Sequence, residues 1–140
     1  MHMWNHEYGI DTDAAPEVVW GHYMDLTTWP IWNPGIKLVE LHGPFAAGSE
    51  GTITSEAYGP VPFRLSAVTT QHSFTMETQV DENVFLRTIC RVAPLTSGGA
   101  RITHRLELAG PGNEALGEAL GPGLTTNLAI GARALAEAAA

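Results

Sequence analysis

The chain has very little cysteine and few positive charges. Cys90 is the only cysteine in 140 residues, so an internal disulfide is excluded and a reducing compartment, the cytoplasm, is expected. Seven basic residues stand against fifteen acidic ones, which gives a formal net charge of −8. This balance argues against a protein that follows nucleic-acid phosphates or docks on anionic lipid. We therefore expect neither nucleic acid nor a membrane as a partner.

Long apolar runs, targeting signals and metal motifs are missing as well. No apolar run approaches the roughly 20 residues that span a bilayer, and the N-terminus lacks the basic and apolar regions of a signal peptide. HExxH, CxxC and phosphate-loop patterns are absent, so we expect no metal and no cofactor. The 44% hydrophobic composition instead indicates one globular domain over residues 1–140, with a core that needs no disulfide.

Hydrophobic periodicity predicts one antiparallel sheet followed by a long helix. A strand pattern at 4–10 precedes two short helical segments, at 18–24 and 25–33, which prolines keep short. The leucines from residue 116 onward are spaced by four and predict an amphipathic helix from residue 113, interrupted by Gly-Pro-Gly at 121–123. Six further strands are predicted between these helical parts, at 36–42, 51–57, 61–70, 73–80, 83–93 and 101–109.

This order of elements predicts an α+β fold with a hollow interior. A sheet with one apolar face must bury it, and the C-terminal helix is the only element long enough to cover it. We therefore expect a curved antiparallel sheet wrapped around that helix, with two short helices after the first strand. Such a sheet cannot close tightly along one helix, and small molecules bind in the hollow that remains.

Four segments carry a resemblance to a known family. DAAPEVVW (13–20), WPIWNPG (29–35), GPF (43–45) and GSEG (48–51) stand at the spacing of the SRPBCC (START/Bet v 1-like) superfamily. The sequence most resembles its polyketide cyclase/dehydrase and lipid transport branch, over essentially the whole chain. The resemblance implies the helix-grip fold and a small hydrophobic ligand, since members bind lipids, hormones and polyketides. Some members catalyse cyclisation or dehydration, so fold alone does not fix the chemistry.

The long helix offers Asn127 as a candidate ligand contact. At about 100° per residue, Asn127 falls about 20° from Leu116, inside the apolar stripe. Gly123, four residues earlier, lies on the same face and leaves room beside the amide. We expect this amide to be buried and to form the polar tip of a cavity. The alternative is that the Gly-Pro-Gly interruption turns Asn127 to solvent.

Aromatic and apolar side chains supply the other candidate contacts. In the helix-grip fold, Trp29 and Trp32 would stand at the cavity entrance, where an indole can stack on a planar ligand. The alternative is that they close one end of the sheet as core. Asn33 either serves the following turn or reaches the ligand. Phe63 and Met76, each on an apolar strand face, complete the predicted ligand contacts.

His104 and Tyr8 are the candidates for proton transfer. His104 alternates with Ile102 and Leu106, so it shares an apolar strand face and is either a general acid or base or a core histidine. Tyr8 has a weaker claim, on the same face of the first strand as Trp4.

Two functions therefore stay open. The first is a carrier or sensor that binds an apolar ligand, of which aromatic and polyketide-like molecules are examples. The second is a cofactor-free cyclase or dehydratase, a lyase or isomerase. The alternation places no arginine inside, which favours binding. The sequence is compatible with a homodimer and does not determine the oligomeric state.

Overall fold

The structure is a computed structural model that describes residues 4–56 and 59–140. Seven strands, two short helices, a 3-10 helix and one long helix follow one another along the chain. The elements are β1 (Trp4–Thr12), α1 (Pro16–Met24), the 3-10 helix (Leu26–Thr28), α2 (Trp29–Trp32), β2 (Ile36–Leu41), β3 (Glu50–Ser55), β4 (Val61–Thr69), β5 (Ser73–Asp81), β6 (Val84–Pro94), β7 (Ala100–Ala109) and α3 (Asn113–Ala139).

All seven strands form one antiparallel sheet in the order β1-β7-β6-β5-β4-β3-β2. Side chains alternate between its two faces, and β7 shows this most regularly, with Ile102, His104 and Leu106 buried on the inner face. The curved sheet, the long C-terminal helix and the short helices after β1 confirm the predicted helix-grip architecture. The strand predicted at 51–57 ends at Ser55 in β3, and its last residue, Ala57, lies outside the described residues.

A two-residue repeat through the strand predicted at 61–70 puts Ala67 on the same face as Phe63 and Leu65, and this is wrong for Ala67. The pairing of β4 with β5 shifts register between Leu65 and Ala67, so Val68 is paired with Phe74. This bulge places Ala67 on the exposed side and packs Val68 against the core. Periodicity alone extends the two-residue repeat through such a position, because a bulge adds one residue to one strand.

The predicted interruption of the long helix is also wrong. α3 runs without a break from Asn113 to Ala139 and includes Pro122. The hydroxyls of Thr125 and Thr126 donate hydrogen bonds to the Pro122 carbonyl, at 3.1 and 2.9 Å. Tertiary contacts on both sides of the proline hold the helix together and offset the cost of a missing N–H.

Small residues bring α3 close to its neighbours at two points. Gly117 and Gly121 contact the indole of Trp4 in β1, and a Cβ at Gly117 would collide with that ring. Further along, Gly131 approaches the backbone carbonyl of Trp32 in α2 just as closely. α3 packs mainly on β1, β7 and α2. Within residues 4–56 and 59–140, no helix is both long and apolar enough to cross a bilayer.

Candidate ligand-binding site

One end of the space inside the sheet is filled by an aromatic cluster, formed by Tyr23, Trp29, Trp32, Phe74 and His104. The ring of Trp29 stacks on Phe74 at 5.6 Å between centroids, and Tyr23 meets Phe74 edge-on at 5.1 Å. All five side chains are buried. The cluster joins α1 and α2 to the inner face of β5 and β7. It closes this end of the fold.

The cluster contains one pair of titratable groups. The hydroxyl of Tyr23 lies 2.9 Å from Nε2 of His104, within hydrogen-bond distance. Burial lowers the pKa of His104 to about 4 and raises the pKa of Tyr23 well above its usual value. Both groups are therefore neutral near pH 7. The neighbouring thiol of Cys90 has its pKa raised by burial as well, so it is not an activated nucleophile.

Two indole N–H groups beside this pair have no hydrogen-bond acceptor within the described residues. They belong to Trp20 and Trp32, and both nitrogens are buried. A buried donor without a partner costs about 1–3 kcal/mol. The ring of Trp32 lies 5.6 Å from those of Tyr23 and His104, between centroids. Because both nitrogens are buried, only an acceptor that enters the closed end of the interior could satisfy them.

Away from the cluster, side chains on the inner face of the sheet become less buried from β7 to β6 and β5. Leu106 of β7 is only 5% exposed, because α3 lies over it. It is paired with Thr88 of β6, and Thr88 is paired with Met76 of β5; both of these side chains are only half-buried. The next row repeats the pattern, since Leu108 is fully buried while its partner Leu86 is not.

On the side of α3 toward this part of the sheet, the leucine side chains are also only partly buried or exposed. Leu116 and Leu124 are half-buried, and Leu120 is 41% exposed. At about 100° per residue, Leu120 and Leu124 lie within about 20° of Gly131, which contacts α2, so they are turned toward the α2 side of the fold. We call this under-packed region the open half; it comprises Met76, Thr78, Leu86, Thr88, Leu116, Leu120 and Leu124.

A family model described as polyketide cyclase / dehydrase and lipid transport matches residues 3–140. The chain belongs to this family. A search of the curated proteins found no match.

Several solved structures share the fold of this chain. The Zhui aromatase/cyclase from Streptomyces sp. R1128 is 13% identical, with a TM-score of 0.79 over 99% of this chain and 94% of that one. Norcoclaurine synthase from Thalictrum flavum is 17% identical, with a TM-score of 0.74 over 97% of this chain and 86% of that one. At identities this low, the structural similarity establishes a shared architecture and does not identify the ligand.

The two tryptophans predicted at the entrance of the family's cavity lie in the core instead. Trp29 and Trp32 are both buried, and Nε1 of Trp29 donates to the Tyr23 carbonyl at 2.9 Å. Both positions agree with the alternative that the tryptophans close one end of the sheet as core, because α2 packs under α3 at Gly131. Asn33 donates from Nδ2 to the Trp29 carbonyl at 2.9 Å, which agrees with the local alternative.

Phe63 and Met76 have different surroundings. Phe63 is buried beside Trp29, with 6.1 Å between ring centroids, and belongs to the closed end. Met76 lies next to Phe74 on the same face of β5, two residues further along. It is half-buried at the border between the cluster and the open half. Of the residues predicted to bind ligand, Met76 has the placement that best fits this role.

The burial predicted for Asn127 is wrong. Asn127 is exposed, as is Gly123, where a Cβ would meet nothing within 4 Å among the described residues. The physical reason is that α3 contacts β1 and β7 with the face carrying Leu128 and Leu135, about 100° and 80° from Asn127. The amide is open to solvent and needs no ligand as a hydrogen-bond partner.

Tyr8 is paired with His104 across β1 and β7, yet its hydroxyl bonds to another residue. Arg133 of α3 donates from Nε to the Tyr8 hydroxyl at 3.0 Å, and its guanidinium carbon lies 5.5 Å from the ring centroid. Tyr8 thus joins α3 to β1 near the surface. The two predicted proton-transfer residues are thus neighbours in the sheet, but their side chains bond to different partners, Arg133 and Tyr23.

Tyr23 is the residue that sequence reasoning missed. It takes the partner position at His104 that Tyr8 does not fill. Val19, Trp20 and Tyr23 are spaced by three and four, so a helical projection of α1 puts them on one buried face. A hydroxyl on that face predicts a buried polar partner, and this signal could have identified it.

A separate groove of about 620 Å³ lies between the end of β1 and the last turns of α3. Asp11, Asp13, Arg133 and Glu137 are among its lining residues, and it is wide open to solvent. Its charged lining does not fit an apolar ligand, so the open half is the better candidate site.

Proposed function

We propose that this protein binds a small, mostly apolar molecule in the open half, between the inner face of β5 and β6 and the first half of α3, as a carrier or sensor. The observation that supports this most directly is the loss of burial from Leu106 to Thr88 and Met76 along one cross-strand row. A monomer that exposes clustered apolar side chains on a concave surface uses them for binding in many proteins.

The chemistry of the lining favours binding over catalysis. Met76, Leu86 and Leu124 offer apolar contact, while the hydroxyls of Thr78 and Thr88 can orient a ligand. His104, the predicted acid or base, is enclosed by aromatic rings and engaged by Tyr23. A group that no substrate atom can approach does not act as a general acid or base.

The family and the fold support a role in binding aromatic molecules. One solved structure is norcoclaurine synthase from Thalictrum flavum in complex with dopamine and hydroxybenzaldehyde, with a TM-score of 0.72 to this chain. That protein holds aromatic molecules within the same architecture. We extend only the ligand class to this chain, a small molecule with an aromatic or similarly apolar body.

The test uses N-phenyl-1-naphthylamine, an uncharged dye that fluoresces in apolar sites. We expect saturable binding to the unaltered protein and at least about tenfold weaker binding to Leu86→Trp, which fills the open half. Phe85→Trp is the matched control, because Phe85 immediately precedes Leu86 on β6 and is 44% exposed on the outer face. Equal affinity of the two variants would place the dye elsewhere and reject the proposed site.

The buried pair of His104 and Tyr23 favours a second candidate, an enzyme that transfers protons in a cyclase or dehydratase reaction. This candidate requires the pair to become accessible when a ligand enters beside it. Nuclear magnetic resonance can follow deuterium exchange at the central carbon of 1-phenyl-1,3-butanedione. Exchange that is accelerated by the protein, and lost in His104→Gln with dye binding retained, would favour the enzyme over the carrier.

A further inference from the structure

Within residues 4–56 and 59–140, the open half has no positively charged side chain to offer to a ligand. The chain has seven lysines and arginines, and the structure describes them all. Five arginines follow the outward-facing repeat of their strands, Lys37 is exposed on β2, and Arg133 bonds to Tyr8 at the surface. The five are Arg64, Arg87, Arg91, Arg101 and Arg105.

Ion pairs occupy several of these arginines on the outer face. Arg87 contacts Glu77 at 2.7 Å, and Arg105 contacts Glu107 at 2.8 Å. Arg101 contacts Asp11 at 2.8 Å. Each pair lies on the opposite face of the sheet from the open half. A side chain in such a pair would have to leave its partner and cross a strand to reach a ligand inside.

The histidines on the inner face do not supply the missing charge either. His104 is neutral near pH 7, because burial lowers its pKa to about 4. His6 of β1 lies in the same cross-strand row as Thr88, but the buried Leu106 stands between them. Among the described residues, the polar side chains on the strand side of the open half are therefore Thr78 and Thr88, and Asn127 lies on the same face of α3 as Leu116. All three are uncharged and can bond to an uncharged ligand group as donor or acceptor.

From this distribution we infer that the open half takes uncharged ligands, such as phenols, alcohols and ketones, and rejects carboxylates with the same apolar body. The inference rests on the proposed function and narrows its ligand class. Moving a carboxylate out of water without a counter-ion costs several kcal/mol, whereas a hydroxyl can exchange its water for a threonine.

The experiment compares 2-naphthol with 2-naphthoate by isothermal titration calorimetry near pH 7. At that pH the phenol is neutral and the acid is ionised, while the ring system is the same. We expect 2-naphthol to bind at least about tenfold more tightly than 2-naphthoate. Equal affinities would overturn the inference and leave the proposed function intact. Failure of 2-naphthol and of the neutral dye to bind would overturn the proposed function itself.

Two further measurements test whether the missing counter-ion causes the preference for 2-naphthol over 2-naphthoate. In about 1 M NaCl the screening length falls to about 3 Å, so repulsion from the acidic surface is removed. A preference that persists supports the missing counter-ion, and one that disappears overturns it. Thr88→Arg should raise the affinity for 2-naphthoate relative to 2-naphthol, whereas Phe85→Arg, on the outer face of the same strand, should leave the ratio unchanged. If Thr88→Arg does not fold, the salt series on the unaltered protein tests by itself whether the missing counter-ion causes the preference.

Discussion

The two ends of the interior are built from the same sheet and the same helix but are packed in opposite ways. At the closed end, Trp29 and Phe74 are buried in direct contact, and α1, α2 and the end of α3 surround them. In the open half, Leu120 is 41% exposed and Thr88 is only half-buried. The contrast shows that α1 and α2 complete the core at one end, whereas no helix among the described residues covers β5 and β6 in the same way at the other.

The closed end and the open half therefore contribute to different properties, the first to stability and the second to ligand binding. Buried aromatic side chains contribute most to the free energy of unfolding, since each removes a large apolar area from water. Half-buried side chains contribute less and remain available to a ligand. We therefore expect substitutions at the closed end to affect folding, and substitutions in the open half to affect affinity.

Trp29→Ala should produce the largest loss of stability. Trp29 stacks on Phe74 and donates to the Tyr23 carbonyl, so its removal leaves a cavity and an unpaired acceptor. We expect the free energy of unfolding to fall by about 3–5 kcal/mol in urea denaturation. Phe85→Ala, an aromatic truncation on the exposed outer face, is the control and should cost well under half as much. Similar losses of unfolding free energy in the two variants would contradict the assignment of stability to the closed end.

Acidification should destabilise the closed end through His104. Its pKa is about 4 in the folded protein and 6.5 when unperturbed, so between these values the unfolded chain binds a proton that the folded protein excludes. Stability from this group is complete above pH 6.5 and is lost as the pH falls toward 4, by an amount on the order of 3 kcal/mol. Urea denaturation between pH 7 and 4 measures the slope.

His104→Gln is the control for this pH dependence, because glutamine can still hydrogen-bond but does not titrate. The five other histidines and the carboxyl groups contribute equally to both proteins. We therefore expect the stability of the variant to decline less steeply across the same window. Parallel curves would show that folding does not lower the pKa of His104.

Tyr23→Phe should have an intermediate effect on stability. The substitution removes the hydroxyl 2.9 Å from Nε2 of His104 and preserves the ring contacts. The expected cost is about 1–3 kcal/mol, since a buried nitrogen loses its partner. Chemical denaturation of the variant measures this cost. An unchanged stability would indicate that water replaces the hydroxyl. Affinity for the neutral dye should be unchanged if the pair only closes the interior.

Leu120→Ala should have the smallest effect on stability and a measurable effect on binding. Because Leu120 is largely exposed, we expect a cost below about 1 kcal/mol. Dye affinity should fall by several-fold, about one kcal/mol, if this side chain covers the ligand. Fluorescence titration and urea denaturation of the same sample give both values. A large loss of stability with unchanged affinity would reverse the roles assigned to the two regions.

Most of the fold could be predicted from the sequence, because its signals are local. Prolines limited the short helices, alternation located the strands, and His104 faces inward as its neighbours Ile102 and Leu106 predict. The bulge after Leu65 and the continuity of α3 through Pro122 could not be predicted in this way. Both depend on the partner strand or on packing contacts, which compensate for what the local pattern disfavours.

The candidate site was predicted less well, for a related reason. Periodicity groups Asn127 with Leu116 on one helix face, but does not indicate which face meets the sheet. The contacts of Gly117 with Trp4 and of Gly131 with Trp32 set that orientation. They also draw Trp32 into the core, away from the predicted entrance.

The sequence by itself determined the order of the elements, the inward and outward positions along each strand, and the acidic character of the chain. These follow from side-chain spacing and composition, which every residue carries locally. Only the tertiary structure decided which inner positions are covered, because the cover depends on where α3 lies across the sheet. That placement results from contacts between residues more than a hundred positions apart, such as the hydrogen bond from the Trp4 backbone to the Asn113 side chain.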